Sequence, residues 1–182
     1  MAFNVPNVLT FLRVLCIPGL VVVILTRFPG QEWVAFGLFC FATFTDTLDG
    51  FWARRFRQIT TLGQLLDPIA DKLLIASVFI CLVETGWVKA WMATIIIGRE
   101  LAVTGFRAIA ESRRVSIPAS LLGKSKMALE TVVLAILLLG SKIPPGWNFL
   151  GPVGLWLVMA VAVVSAAEYF IRYSPRILSG KP

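Results

Sequence analysis

Histidine is absent from this 182-residue chain, and its absence narrows the chemistry that the chain can perform. Catalysis by a histidine acid or base is excluded, and so is metal ligation by imidazole. A bound metal must be held by oxygen or sulfur. The three cysteines, Cys16, Cys40 and Cys81, lie inside apolar runs without the spacing of a metal or disulfide motif. We interpret them as small buried hydrophobic residues.

Charged residues are also scarce. They make up 15% of the chain against 58% apolar residues, and the mean hydropathy is +0.84, whereas about a quarter of a soluble domain is charged. This composition predicts an all-α integral membrane protein with several spans and little soluble structure. The net charge of +7 suits anionic lipid headgroups and phosphorylated substrates more simply than nucleic acid, which is not an expected partner.

Six segments are apolar enough to be membrane spans, since a helix needs about 20 apolar residues to cross the hydrocarbon core. They lie at roughly 8–26, 31–50, 65–85, 88–109, 123–141 and 149–173. The first does not resemble a cleaved signal peptide, because neither a basic leader nor a convincing cleavage site flanks it. The chain contains no internal repeat or linker, which predicts a single domain over residues 1–182.

Basic residues indicate the orientation of these spans. If the loops at 51–64 and 110–122 share one side with both termini, that side carries twelve of the 17 lysines and arginines, against three on the other. Because basic loops stay in the cytoplasm, both termini and both loops are predicted to be cytoplasmic. The expected location is the inner (cytoplasmic) membrane, with multiple passes.

Four aspartates border the second and third predicted spans. Asp46 and Asp49 are three residues apart and Asp67 and Asp71 are four apart, so each pair shares one helix face. The short connection between the two spans predicts antiparallel neighbours, and all four carboxylates would meet at one cytoplasmic height. One or two Mg²⁺ or Mn²⁺ ions would remove their mutual repulsion. Pro68, which follows Asp67, suits the first turn of the third helix.

Small and basic residues accompany the aspartates. Gly50, Ala53 and Gly63 would let a flat or bulky group approach the backbone, although they would serve close helix packing equally well. Arg54 can offer a planar fork to a phosphate, and it can also act with its basic neighbours as a cytoplasmic anchor.

A second polar group follows in the fourth and fifth spans. Arg99 and Glu100 lie within the fourth predicted span and are expected to contact each other or other spans. Arg107, Lys124 and Lys126 lie at the cytoplasmic span ends, where anchoring alone could explain them. Opposite four metal-binding aspartates, a basic pocket for a phosphorylated second substrate is the better interpretation.

The run from Asp46 to Asp71 reads D-x2-D-G-x2-A-R-x8-G-x3-D-x3-D and resembles the signature of the CDP-alcohol phosphotransferase family. The segments 4–13, 98–107 and 123–126 resemble one branch, the bacterial phosphatidylglycerophosphate synthases. The resemblance implies a six-helix membrane fold with a cytoplasm-facing polar cavity, commonly in a homodimer. It also implies two divalent cations, Mg²⁺ or Mn²⁺.

The resemblance assigns roles to individual residues. It implies that Asp46, Asp49 and Asp67 bind the metals, with Asp71 near one of them and also acting as the catalytic base. Residues implied to bind CDP-diacylglycerol are Asp46, Gly50, Ala53, Arg54 and Gly63. Residues implied to hold the acceptor phosphate are Arg107, Lys124 and Lys126, with Arg113 or Arg114 as helpers.

The implied reaction transfers a phosphatidyl group from CDP-diacylglycerol to sn-glycerol 3-phosphate, giving phosphatidylglycerophosphate and CMP. Inositol phosphate or phosphatidylglycerol could replace the acceptor, whereas a basic pocket argues against serine. A divalent-cation transporter is the alternative from another class, since carboxylates within membranes also mark ion pathways. The position of the aspartates near one interface, rather than at the midplane, argues against it.

Overall fold

The computed structural model describes residues 5–56, 61–113 and 121–179, and these residues form six α-helices. The helices are α1 (Val5–Leu25), α2 (Gln31–Phe56), α3 (Thr61–Glu84), α4 (Ala90–Ser112), α5 (Leu121–Leu139) and α6 (Leu150–Ser179). Two short 3-10 turns, Gly140–Lys142 and Pro145–Trp147, separate α5 from α6. The described ranges contain no β-strand, which confirms the all-α prediction.

The helices α2 and α3 are longer than the apolar segments that predicted them. Helix α2 continues to Phe56, so Asp49 lies about two turns before its end. Helix α3 begins at Thr61, and Pro68 therefore lies inside it. The prediction that Pro68 belongs to the first turn is wrong, because hydropathy marks where a helix is apolar and not where its backbone hydrogen bonds begin.

The chain divides into two compact units, of which the first comprises Met1–Val88 and Leu134–Pro145. In its described part, α1 packs along both α2 and α3, while α2 and α3 contact each other less. Its buried apolar side chains include Leu20, Phe39, Leu74, Val78 and Phe79. The first unit thereby brings the start of α1 against the start of α3.

The second unit comprises Lys89–Val133 and Gly146–Pro182, so the division between the units falls within α5. Here α4 packs on α6. Val103 of α4 lies in a buried cluster with Tyr169 and Tyr173 of α6. Nearer the start of α4, the rings of Trp91 and Trp156 meet edge to face, with centroids 5.6 Å apart. The prediction of a single domain stays a prediction.

One stretch among the described residues, Pro145–Ser174, is long and apolar enough by itself to cross a membrane. A shorter apolar stretch covers Thr10–Leu25. Helix α4 carries Arg99 and Glu100 within its apolar run. The prediction of six spans therefore stays a prediction.

Gly154 of α6 provides a test of the packing in the second unit. A Cβ atom at this position would lie 2.6 Å from Cγ2 of Val133, which is too close for two carbon atoms. We expect Gly154→Ala to destabilise the protein by about 1–3 kcal/mol, because overpacking forces neighbours to shift. The measurement is thermal unfolding in detergent micelles.

The matched control for Gly154→Ala is Gly37→Ala in α2. A Cβ atom at Gly37 would meet nothing within 4 Å. This variant should unfold at the wild-type temperature or slightly above it, because alanine favours helices more than glycine does. Equal unfolding temperatures for the two variants would contradict the close contact between Gly154 and Val133.

Candidate active site

The carboxylate of Asp67 is oriented by a hydroxyl from a different helix. Thr10, near the start of α1, donates a hydrogen bond from Oγ1 to Oδ1 of Asp67, with the two oxygens 2.5 Å apart. Thr10 is 1% exposed and Asp67 is half-buried. The contact exists because α1 packs along α3. It fixes one oxygen of a carboxylate that the sequence predicts to be a metal ligand.

Asp71 lies one helical turn after Asp67 on α3, and it is also half-buried. Residues four apart on a helix are surface neighbours, with about 5–6 Å between their Cβ atoms. The structure therefore brings Asp67 and Asp71 together on one face, as the spacing predicts.

The remaining residues of the aspartate motif belong to helices, but their side chains lie outside the described part of the structure. They are Asp46, Asp49, Gly50, Ala53 and Arg54 on α2 and Gly63 on α3. Among the described side chains, no group of three or more cysteine, aspartate or glutamate residues could hold a metal ion. Only two of the four motif carboxylates are within that search, so the predicted four-carboxylate site stays a prediction.

Thr10 and Arg13 are residues that sequence reasoning did not assign to the site. Arg13 is three positions after Thr10 on α1 and its side chain is fully buried, with 1% exposure. The sequence offers two signals, an arginine inside the first apolar segment and the membership of both residues in the segment 4–13 that resembles one branch of the family, but neither signal specifies a role in the site. Arg13 belongs to the same compact unit as Asp67.

A cavity of about 480 Å³ in the first unit lies away from these residues. It is formed by the end of α1, the start of α2 and the ends of α3 and α5, where Arg27, Glu32 and Thr85 supply polar groups. Thr10 and Asp67 lie near the opposite ends of α1 and α3. None of the predicted site residues lines this cavity, and the predicted cytoplasm-facing cavity stays a prediction.

Four charged side chains form a chain of ion pairs in the second unit. Glu100 Oε1 lies 2.5 Å from Nη1 of Arg99 and 2.5 Å from Nζ of Lys126. Nζ of Lys126 also lies 2.6 Å from Oε2 of Glu130, one turn further along α5. Arg99 and Glu100 thus contact each other, and Glu100 also contacts α5. The sequence predicts either a contact between the two residues or contacts with other spans, and the structure contains both.

Arg99 also joins α4 to α6. Its Nη2 donates to Oγ of Ser165 at 2.6 Å, and its Nε donates to the carbonyl oxygen of Ala162 at 3.2 Å. The Ser165 hydroxyl in turn donates to the Ala162 carbonyl at 3.0 Å. Glu130 and Ser165 were not singled out from the sequence, because neither belongs to a spacing motif. We call Arg99, Glu100, Lys126, Glu130 and Ser165 the buried polar network.

The residues predicted to hold the acceptor phosphate differ in their surroundings. Arg107 is exposed on α4, and Arg113 is exposed just after its last residue. Lys126 is completely buried in the polar network. The side chain of Lys124 and the whole of Arg114 lie outside the described residues.

Comparison with known protein families matches residues 3–167 to the family described as CDP-alcohol phosphatidyltransferase. The match includes all four motif aspartates and the whole buried polar network. The chain belongs to the CDP-alcohol phosphatidyltransferase family. The resemblance inferred from the run between Asp46 and Asp71 is thus confirmed.

Several relatives of this CDP-alcohol phosphatidyltransferase family member bear the name CDP-diacylglycerol--glycerol-3-phosphate 3-phosphatidyltransferase. The protein of that name from Rickettsia bellii is 36% identical over 172 residues, covering 92% of this chain and 93% of the relative. The Bacillus subtilis protein is 35% identical, with coverages of 93% and 95%. The Salmonella choleraesuis protein is 40% identical, with coverages of 88% and 89%.

Proposed function

We propose that this protein transfers the phosphatidyl group of CDP-diacylglycerol to sn-glycerol 3-phosphate, forming phosphatidylglycerophosphate and releasing CMP. The observation that carries this proposal is the similarity to full-length relatives named for that reaction, at 35–40% identity over about nine-tenths of the chain. The presence of the complete eight-position motif between Asp46 and Asp71 supports the same chemistry.

In the proposed step, the 1-hydroxyl oxygen of glycerol 3-phosphate attacks the β-phosphorus of CDP-diacylglycerol. A new oxygen–phosphorus bond forms, the bond to the CMP oxygen breaks, and the hydroxyl proton passes to the Asp71 carboxylate. A primary alcohol is a poor nucleophile at neutral pH, so a positioned base contributes about 10²–10⁴-fold to the rate. Asp71 is suited to this role because it is half-buried and lies beside Asp67 on one helix face.

The donor set of the motif fits two divalent cations, Mg²⁺ or Mn²⁺. Both ions prefer oxygen ligands, and the carboxylates of Asp46, Asp49, Asp67 and Asp71 would supply them. When bound, two such ions neutralise pyrophosphate charge and stabilise the leaving group. The hydrogen bond from Thr10 supports this assignment, because carboxylate ligands of metals are commonly held by a second hydrogen-bonded group.

Each substrate is assigned its own set of residues. We assign CDP-diacylglycerol to Asp46, Gly50, Ala53, Arg54 and Gly63. The family resemblance assigns the acceptor phosphate to Arg107, Lys124 and Lys126, with Arg113 or Arg114 as helpers. The exposure of Arg107 and Arg113 supports the second assignment, because an incoming anion can reach both guanidinium groups.

A lipid substrate requires a membrane setting. We propose six spans in the inner (cytoplasmic) membrane, with both termini and the active site on the cytoplasmic side. Large apolar side chains on the chain surface support contact with lipid, since Phe11 and Phe44 are each 61% exposed and Ile171 is 77% exposed. The distribution of lysine and arginine supports the orientation. A homodimer is expected from the family resemblance alone.

Thr10→Val provides a test of the metal assignment. Loss of the hydrogen bond to Asp67 should weaken Mn²⁺ binding about 10–100-fold, because groups that orient metal ligands affect affinity to that extent. The measurement is titration of Mn²⁺ into the detergent-solubilised protein, followed by the electron paramagnetic resonance signal of free Mn²⁺. Thr10→Ser keeps the hydroxyl and should bind Mn²⁺ like the wild type. Equal affinities for the valine and serine variants would remove Thr10 from this role.

The reaction itself is tested by measuring CMP release from CDP-diacylglycerol in mixed micelles containing Mg²⁺ or Mn²⁺. Glycerol 3-phosphate, inositol 1-phosphate, serine and phosphatidylglycerol are offered separately to the purified protein. We expect release with glycerol 3-phosphate alone. Release with another acceptor would keep the mechanism and change the substrate, whereas a folded protein that is inactive with all four would overturn the proposed function.

A further inference from the structure

Lys126 is enclosed by carboxylates instead of facing solvent. Its side chain is 0% exposed, and its ammonium group lies 2.5 Å from Glu100 and 2.6 Å from Glu130. Glu130 is itself almost completely buried, with a side-chain exposure of 4%. A lysine that binds an incoming phosphate must instead present its ammonium group to that phosphate.

The buried polar network is also balanced in charge. Arg99 and Lys126 contribute two positive charges, and Glu100 and Glu130 contribute two negative charges. An acceptor phosphate that bound Lys126 would have to displace Glu130, whose side chain is almost completely buried, or Glu100, which Lys126 shares with Arg99. Breaking a buried ion pair in this way is strongly unfavourable. The charge of Lys126 is therefore not available to the substrate.

The network does fix the helices that carry the other basic residues. Lys126 connects α5 to Glu100 of α4, and Arg99 connects α4 to Ser165 of α6. Arg107 is seven residues after Glu100, about two turns further along the same side of α4. Lys124 precedes Lys126 by two residues in the first turn of α5. A shift of Lys126 relative to Glu100 would change the spacing between these two basic positions.

We infer that Lys126 is a positioning residue: through Glu100 and Glu130 it sets α5 against α4 and so holds Arg107 of α4 at the correct distance from the start of α5, where the acceptor phosphate is proposed to bind. This inference rests on the proposed function and refines the role of Lys126 within it. In this role Lys126 acts together with Glu100, Glu130 and Arg99, which link α4 to α5 and α6.

The test compares Lys126→Met with the double variant Lys126→Met/Glu130→Met. The single change leaves the Glu130 carboxylate buried without its lysine. We expect kcat/KM for glycerol 3-phosphate to fall about 10²-fold, because a small misplacement of a bound substrate lowers the rate by about that factor. The double change replaces the ion pair by two apolar side chains, which buried pairs commonly tolerate. We expect kcat/KM for glycerol 3-phosphate to be about tenfold higher in the double variant than in Lys126→Met. KM for CDP-diacylglycerol should be unchanged in both variants.

A second variant, Glu130→Gln, gives opposite results for the two roles of Lys126. If Lys126 only positions the helices, loosening its attachment should raise KM for glycerol 3-phosphate severalfold. If Lys126 contacts the phosphate, removal of a competing carboxylate should lower that KM. A lower KM, or a double variant no better than Lys126→Met, would overturn the inference.

Lys89→Met, which removes an exposed lysine before α4, is the matched control and should match the wild type.

Unfolding temperatures without substrate separate this inference from the proposed function. Lys126→Met should unfold at a lower temperature than the wild type, and the double variant should recover part of the loss. If the folded wild type releases CMP with none of the four acceptors, the proposed function fails. The unfolding temperatures alone then decide whether the buried polar network stabilises the protein. A double variant that unfolds at a lower temperature than Lys126→Met would contradict the inferred role of the Lys126–Glu130 ion pair.

Discussion

Replacement of Asp71 by asparagine is expected to lower kcat for CMP release by about 10²–10⁴-fold, the contribution of a positioned general base. Asparagine has nearly the same shape but cannot accept the proton of the acceptor hydroxyl. The variant should stay folded, because Asp71 is half-buried on α3 and the substitution removes no apolar packing. The measurement is CMP release at saturating concentrations of both substrates, together with thermal unfolding in micelles.

Two comparisons make the Asp71→Asn result specific. Lys72→Gln alters the neighbouring residue, whose ammonium group donates to the carbonyl oxygen of Pro68 at 3.4 Å, and it should retain wild-type activity. Raising the Mn²⁺ concentration distinguishes a base from a metal ligand. Activity that returns at high Mn²⁺ would assign Asp71 to metal binding, and near-normal activity at ordinary Mn²⁺ would remove it from both roles.

Removal of divalent cations is expected to have the second large effect. A chelator should lower CMP release by at least about 10³-fold, because metal ions contribute several kcal/mol to such transfers and 1.36 kcal/mol corresponds to tenfold in rate. Without a cation, the motif carboxylates would repel the pyrophosphate of CDP-diacylglycerol. Addition of Mg²⁺ or Mn²⁺ in excess of the chelator should restore the activity.

A binding measurement independent of turnover completes the metal test. Mn²⁺ should raise the unfolding temperature of the wild type, since a ligand that binds only the folded state stabilises it. Asp67→Asn should lose most of this increase, because Asp67 is the motif carboxylate that Thr10 orients. Full activity in excess chelator, or an equal Mn²⁺ effect in wild type and Asp67→Asn, would contradict the assignment of a divalent-metal site.

Local patterns predicted the helices better than their ends. The apolar segment at 65–85 located α3 correctly but missed its first turn, which begins at Thr61. The residues before Leu65 are too polar for a membrane span, yet they continue the same helix. A helix that began with the apolar segment would have Pro68 in its first turn. Hydropathy reports the solvent that a helix prefers, whereas its end depends on backbone hydrogen bonds and tertiary contacts.

The basic residues illustrate a second limit of the sequence. Arg107 and Lys126 both lie near the predicted cytoplasmic ends of their spans, and nothing in their sequence positions distinguishes one from the other. In the structure Arg107 is exposed, whereas Lys126 is completely buried between two glutamates. The spacing of Lys126 and Glu130 permits an ion pair on one face of α5. Whether that face meets Glu100 depends on the packing of α4 and α5.

The amino-acid sequence by itself determined the all-helical architecture, the family and the four-aspartate motif, because each depends on composition or on spacing along one or two segments. Only the tertiary structure decided that Thr10 orients Asp67 and that Glu100 engages Lys126. These pairs are separated by 57 and 26 residues along the chain. Each contact depends on which faces of two helices meet, and side-chain packing between the helices sets that choice.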